Sequence, residues 1–354
     1  MEVQLDTLLE IKKPILVTGH TGFKGTWLTL LLETLGLNVI GYSLPPEENS
    51  LYTQMKRKGK IPELFGDVRN SSALNEFVQI TKPEVIIHFA AQPLVIDAYS
   101  DPVGTFFTNV MGTVHTLDAG YQNIETKCLA VITTDKVYRN ENLGRRFIES
   151  DALHGQDPYS ASKVGAESAV SAWQNMSKLE NRFPILSLRA GNVIGGGDLA
   201  KNRLMPDIIR HLHFNTTLNL RNPTSTRPWQ HVLDPLLGYL LAINKALETN
   251  KSEEYNFAYD EDSLSVEKVL KIVGDRVEIS FTKHEIVVNQ KHSESVFLNL
   301  DPSRAINELN WQSNWTQESA IWQTLEWWKI VSNKSHTPAE ACMLEIHQRL
   351  QWRK

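Results

Sequence analysis

The chain has 354 residues, 41% hydrophobic and 22% charged, with a net charge of −5 at pH 7; it is long enough for two lobes at about 150 residues each, and its acidic balance argues against nucleic acid as the main partner. No run approaches the ~18 apolar residues of a membrane span, and "MEVQLDTLLEIKK" lacks the basic start and apolar run of a signal peptide. Two cysteines far apart, Cys128 and Cys342, suit a reducing compartment, so a soluble cytoplasmic protein is expected.

The first predicted element is a strand, "PILVTG", followed by a helix over "KGTWLTLLLETLG", where Leu28, Leu31, Leu32 and Leu35 recur at helical spacing and Gly36 serves as C-cap. A strand "NVIGYS", a helix "ALNEFVQITK" and a strand "PEVIIHFAA" follow, then a long helix "GTFFTNVMGTVHTLDAGYQ" and a strand "CLAVITT". The regular part closes with a helix "SASKVGAESAVSAWQNMSK" and a strand "PILSLRAGNVIG". Strands alternating with helices of this length predict an α/β fold, a doubly wound parallel sheet. After about residue 195 the pattern loosens. Residues 1–192 are expected to form a dinucleotide-binding domain and 193–354 mainly a smaller mixed lobe, with part of 231–258 returning to the sheet. The aromatic helix "ESAIWQTLEWWKIVSN" reads as docking onto the body.

Between the first strand and first helix lies "GHTGFKG", with Gly19, Gly22 and Gly25. Glycines here permit a tight turn and close backbone approach to a pyrophosphate seated on a helix N-terminus; alone, they also suit a structural turn. Thr21 and Phe23 of this loop, Asp67 and Val68 of "GDVR", and Ala90 and Ala91 of "HFAAQ" are the further candidate cofactor contacts. Asp67 reads either as an acceptor for an adenine amino group or as a turn cap. The second strand ends in "GYSLPP" without the acid that favours NAD, and Lys24 and Arg57 are the nearby cations, so NADP stays open beside NAD. His88 reads as a satisfied core histidine.

"ITTDKVY" ends a buried strand on an adjacent acid and base, Asp135 and Lys136, and "DPYSASK" places Tyr159 and Lys163 four apart on one helix face. A lysine ammonium beside a phenol stabilises the phenolate and lowers the tyrosine pKa, which suits proton removal from a hydroxyl as hydride leaves carbon. The plain alternative is an Asp-Lys turn after a strand.

Together the glycine loop, "HFAAQ", "TNVMGT", "TTDK" and "YSASK" resemble the extended short-chain dehydrogenase/reductase superfamily, and "VTGHTGFKGTWL", "AAQPLV", "TTDKVY", "RAGNVIGGGD" and "RNPTSTRPWQHV" resemble the CDP-glucose 4,6-dehydratases within it. The resemblance spans nearly the whole chain. It implies three steps on one bound nucleotide sugar: oxidation at C4, loss of water across C5 and C6, and reduction at C6 by a retained NAD. It implies Tyr159 as oxidation base, Thr134 on the C4 oxygen and Asp135 as general acid. Lys136 stands where related dTDP-glucose enzymes carry a glutamate, the C5 base, and can serve only if its pKa is lowered. Lys163 completes the catalytic set.

For the substrate, Gln92, Asn109, Asn192, Arg203, Arg221, Arg227 and His231 are the candidates, with Arg203 and Arg227 as clamps on a diphosphate. Trp229 reads as packed or as a nucleobase contact. Between Tyr138 and Asp157 the chain is shorter than the subgroup's tryptophan-containing insert, keeping only Phe147, Ile148 and Glu149 of its end. A nucleotide-sugar epimerase or decarboxylase on the same fold, a dehydratase for another nucleotide sugar, and a non-catalytic dinucleotide sensor are the competing readings. Such folds commonly dimerise through the helices carrying Asn109 and Lys163, so a homodimer or higher homo-oligomer is expected.

Overall fold

Seven short runs, the central ones rich in Val, Ile and Leu, build one parallel sheet: β1 (Ile15–Thr18), β2 (Val39–Ser43), β3 (Glu63–Phe65), β4 (Val85–His88), β5 (Cys128–Ile132), β6 (Ile185–Ala190) and β7 (Glu254–Phe257). Their order is β7-β6-β5-β4-β1-β2-β3, and every neighbouring pair is parallel. The structure, a computed structural model, describes residues 5–141, 144–214, 216, 218–220, 225–277, 284–286 and 297–351.

Period-2 alternation divides the strand side chains between two cores. Leu16, Ile40, Ile86, Leu129 and Val131 join Leu74 and Val78 of α2 (Ser71–Thr81), Leu117 of α3 (Gly112–Gln122) and Val170 of α4 (Pro158–Leu179). On the opposite face Val17, Ile87, Ala130 and Leu188 meet α1 (Phe23–Thr34), α6 (Leu233–Thr249), α8 (Gln317–Ser332) and α9 (Pro338–Gln351). Two further helices, α5 (Leu204–Phe214) and α7 (Val266–Val277), lie in the second half of the chain. Each fully buried leucine of these layers contributes roughly 1.5–3 kcal/mol. Cys128 and Cys342 are buried free thiols, and the expected doubly wound sheet is present.

Three local features depart from the sequence pattern, and each bears on the site. The strand expected over "PILSLRAGNVIG" breaks at Gly191: a Cβ there would lie 3.0 Å from Pro228 and 3.1 Å from the Asp135 Oδ2. Val193–Ile194 pairs instead with Gln230–His231. The long helix begins earlier than expected, at Pro102–Phe106, where the Asp101 carboxylate accepts from the Gly104 N–H. It then passes through a π-helical turn, Phe107–Met111, that carries Asn109. The aromatic α8 docks as expected, with Trp327 and Trp328 buried and the Trp327 ring so close over Gly196 that a Cβ there would lie 2.1 Å away.

In an open sheet of this order, ligands sit outside the carboxyl ends of the strands where the order reverses. That point falls between β1 and β4. Thr18 stands opposite His88, and His88 opposite Val131, so the ends of β1, β4 and β5 are level.

Candidate active site

At the end of β1 the chain must turn sharply into α1. Gly19 does so at φ +72°, and a Cβ on it would sit 2.7 Å from the backbone nitrogen of Ala90. A Cβ on Gly25 would sit 2.2 Å from the Gly19 carbonyl oxygen. Gly22 is the exposed N-cap, and no side chain caps the helix. The first turn of α1 therefore presents open N–H groups and the positive end of its dipole. Thr21 turns its hydroxyl to the Ser43 hydroxyl at 2.8 Å and the Leu44 carbonyl at 3.1 Å. Phe23 packs under Gly195. Beneath the loop, His20 is fully buried against the Glu63 carboxylate at 2.8 Å.

Along the same edge, the Asp67 carboxylate receives the Arg69 guanidinium at 2.8 and 2.6 Å, which holds its pKa below the usual carboxylate range. Val68 is buried and its carbonyl meets the His115 ring at 2.9 Å. Arg57 turns away to an ion pair with Glu33. Ala90, backing Gly19, and Ala91 are half-buried. His88 is a core residue: its ring is bonded to the hydroxyls of Thr18, Thr113 and Thr116, and burial pushes its pKa down to about 3.

Thr134 caps a 3₁₀ turn, Asp135–Val137, that leaves β5. The Thr134 hydroxyl donates to Asp135 Oδ1 at 3.0 Å and is in hydrogen-bond contact with the Tyr159 phenol. Asp135 is 2% exposed, and its second oxygen, Oδ2, is buried without a partner. Lys136 is half-buried beside it. Tyr159 and Lys163 enter on α4, which starts at Pro158 behind a capping box of Asp157 and Ser160. The Lys163 ammonium donates to the Ile132 carbonyl at 2.9 Å, and burial pushes its pKa down to about 8.

One expectation is corrected here. The phenol of Tyr159 is not held down by Lys163: burial pushes its pKa up to about 12, the Thr134 hydrogen bond opposes that, and the Asp135 charge adds to it. The lysine is committed to the Ile132 carbonyl and is itself stripped of water.

The substrate candidates separate. Asn109, 1% exposed, accepts from the Gln92 N–H at 2.8 Å and donates to the Gln92 carbonyl at 3.1 Å and to Ser162 at 2.9 Å, tying the loop after β4 to α4. The Gln92 side-chain amide is turned back on Leu94 and on Thr105 at 3.0 Å. Asn192 is half-buried, and its carbonyl accepts from the Gln230 N–H at 3.1 Å. Arg203 lies 3.4 Å from the Asp198 carboxylate and close enough to Tyr159 to act on its charge. Arg227 is buried and donates to the Thr226 carbonyl at 2.7 Å. Arg221 lies outside the described residues. His231 is a correction: its ring is fully buried between Trp27 and Trp315, with Nε2 3.1 Å from the Glu345 carboxylate, so it faces the packed interior, not a substrate. Trp229 is likewise buried, 6% exposed.

With this geometry in view, comparison with known proteins is decisive for the family. Residues 16–324 match the family model described as GDP-mannose 4,6 dehydratase. The chain belongs to that family. It is 39% identical to the CDP-glucose 4,6-dehydratase of Salmonella typhimurium over 90% of both chains. Among solved structures it is similar to the dTDP-glucose 4,6-dehydratase of Bacillus anthracis in complex with NAD (TM-score 0.75, 22% identity, 90% of this chain and 97% of that one). It is also similar to a UDP-glucose-4-epimerase from Stenotrophomonas maltophila (TM-score 0.79, 19% identity, 91% and 100%). Those two likenesses show the shared fold.

In this member of the 4,6-dehydratase family two features of the centre escape sequence reasoning. Lys24, read above only as a cation near a cofactor, stands among Arg203, Asp135, Lys163 and Asp198; desolvation, then Arg203, lowers its pKa to about 8. Its signal was available: a lysine in the first turn of a helix faces the unfavourable end of the dipole. The second is the buried pair Glu167 and Arg189, 2.8 Å apart, whose carboxylate accepts from the Thr133 hydroxyl at the start of the Thr134–Val137 turn. No sequence spacing links those two residues.

Proposed function

We propose that this protein is a nucleotide-sugar 4,6-dehydratase that converts CDP-glucose to CDP-4-keto-6-deoxyglucose and water, with NAD as a retained cofactor. The observation that carries the reading is Asp135: a buried carboxylate with one oxygen unpartnered, beside Thr134, Tyr159 and Lys136 at the end of β5. A carbon–oxygen bond eliminating water needs an acid held at such a place, and an epimerase or a decarboxylase does not. The nucleotide is proposed from the relative that is 39% identical and is named for the CDP sugar.

The glycine cradle fits a dinucleotide: side chains are excluded at Gly19 and Gly25, and the N-terminus of α1 is uncapped. Gly19, Thr21, Gly22, Phe23 and Gly25 would hold its pyrophosphate, Asp67 and Val68 its adenine, and Ala90, Ala91, Tyr159 and Lys163 its reactive end. Arg57 is engaged by Glu33 and Lys24 is turned to the catalytic centre, which supports NAD over a cofactor bearing a 2′-phosphate. When bound, NAD supplies a hydride acceptor for C4 and the donor for C6.

The chain's own groups do the rest. Tyr159 takes the C4 hydroxyl proton, Thr134 holds that oxygen and bonds the phenol, and Lys163 anchors this helix face to the Ile132 carbonyl with its charge near the reacting end. Lys136 removes the C5 proton and returns it when C6 is reduced. The Asp135 carboxyl, in its protonated form, gives its proton to the departing C6 hydroxyl. Arg203 and Asn192, on the segment after β6, face a diphosphate held between the sheet edge and a second lobe formed mainly by residues 193–354, while Asn109 orders the loop of Gln92. The test is a panel of CDP-, dTDP-, UDP- and GDP-glucose read by mass spectrometry. Loss of one water from the CDP sugar without net cofactor reduction is expected; no water loss from any of the four would sink the reading.

The protein is further proposed to work as a cytoplasmic homodimer. Val103, Phe106, Phe107 and Met111 are 79%, 42%, 47% and 36% exposed and recur at helical spacing, an apolar stripe on the segment leading into α3. Among the described residues no helix is long and apolar enough to cross a membrane, and the proposed cover for this stripe is the same stripe of a second copy. Phe107→Glu is expected to halve the mass measured by light scattering at micromolar concentration. An unchanged mass would move the interface elsewhere.

A further inference from the structure

We propose that the buried pair Glu167–Arg189 is a positioning device for the catalytic turn, holding Asp135 where elimination requires it; this rests on the dehydratase reading above. The pair is bidentate, with Arg189 Nε on Glu167 Oε1 at 2.8 Å and Nη2 on Oε2 at 2.9 Å, and both side chains are less than 5% exposed. A buried pair of this kind is a poor source of stability, since well-packed apolar residues of equal volume often serve as well or better. Its remaining hydrogen-bonding capacity shows where it acts.

Both edges of the turn hang on it. Thr133, the residue before Thr134, donates its hydroxyl to Glu167 Oε1 at 2.6 Å. Tyr138, the residue after Val137, accepts from Arg189 Nη1 at 2.8 Å and donates to Asn256 on β7 at 2.7 Å. The Tyr138 ring is stacked on Phe147 at 5.1 Å, with the Arg189 guanidinium 5.2 Å from its centre. Ser187 on β6 adds a bond to Glu167 Oε2 at 2.8 Å. Three strands and α4 thus converge on the two flanks of residues 134–137.

Asp135 is where such a clamp matters. Among the described residues its Oδ2 has no partner, and its Oδ1 is held by the neighbouring Thr134 alone. The placement of that carboxyl is therefore set by the backbone of the turn, and the backbone by its two anchors. A shift of about 1 Å in a reacting group costs on the order of a hundredfold in rate. The pair also reaches Lys163, one helical turn from Glu167, whose pKa the Glu167 charge raises against the effect of burial.

The test removes the tethers and leaves the ion pair intact. Thr133→Val and Tyr138→Phe each delete one hydroxyl. Each is expected to lower kcat on CDP-glucose about ten- to a hundredfold, with KM changed by less than about threefold. Because oxidation precedes elimination, the reduced-nicotinamide absorbance should build up during turnover in both variants and stay at baseline in the parent enzyme. Thr133→Ser, which keeps the hydroxyl, should restore the parent behaviour. Loss of rate without absorbance, or a Thr133→Ser variant as slow as Thr133→Val, would overturn the positioning role, because a merely less stable protein gives both. Failure of the parent enzyme to release water from any nucleotide sugar would instead overturn the dehydratase reading itself.

Discussion

Replacing Tyr159 by phenylalanine should lower kcat about a thousandfold, inside the range for losing a positioned acid–base group. KM for the sugar should change little, since the ring still packs and only a hydroxyl is lost. The pH dependence follows from two opposite perturbations on one helix face. Burial holds the phenol up at about 12, so it is protonated throughout the neutral range and its deprotonated fraction, and with it the oxidation rate, rises with pH. Lys163 is held down at about 8, so its positive charge is complete only below that value and is lost as the pH rises through it. The two meet as a rising limb cut off near pH 8. Lys163→Met should be slower at every pH and should lack the fall above 8. Steady-state rates on the CDP sugar from pH 6 to 10 decide this: a variant that keeps the fall would assign it to another group.

What the sequence made legible was local. Alternation of short apolar runs with amphipathic stretches gave the parallel sheet, since period 2 and period 3.6 are written in neighbouring residues. Tyr159 and Lys163 are four apart on one helix, and Thr134 to Lys136 are adjacent, so their meeting needs no long-range knowledge. What was illegible depends on contacts far along the chain. The elevated pKa of Tyr159 comes from burial that only the assembled fold creates. His231 follows Gln230 in a motif that suggested a substrate contact, yet Trp27 and Trp315, from distant parts of the chain, bury its ring. Lys24 belongs to the glycine loop by sequence and to the cluster of Asp135, Lys163, Asp198 and Arg203 by space. Glu167 and Arg189 look unremarkable on α4 and β6 until the parallel pairing of β5 with β6 sets Thr133 beside both.

Asp135→Asn should separate chemistry from stability. Asparagine keeps the shape of the side chain, and its amide oxygen can still accept from Thr134 as Oδ1 does. The group replaced is a buried, unpartnered oxygen, and the amide NH2 that takes its place is equally buried and unpartnered, so the desolvation cost of about 1–3 kcal/mol carries over rather than being relieved. In addition, Lys24 loses a nearby opposite charge. The net change is a small loss, and the thermal midpoint should stay within about 2 °C of the parent, on the order of the shift that roughly 1 kcal/mol gives in a chain this long. Activity should not survive. An amide cannot deliver a proton to the departing C6 hydroxyl, and kcat for water loss should fall about a hundred- to ten-thousandfold. Oxidation at C4, in the roles proposed for Tyr159 and Thr134, remains possible, so reduced nicotinamide should accumulate to about one equivalent per site and persist. Water release above about a tenth of the parent rate would remove Asp135 as the acid. Loss of water release with no accumulated reduced cofactor would place the residue in the oxidation step, beside Tyr159, whose charge state it already influences.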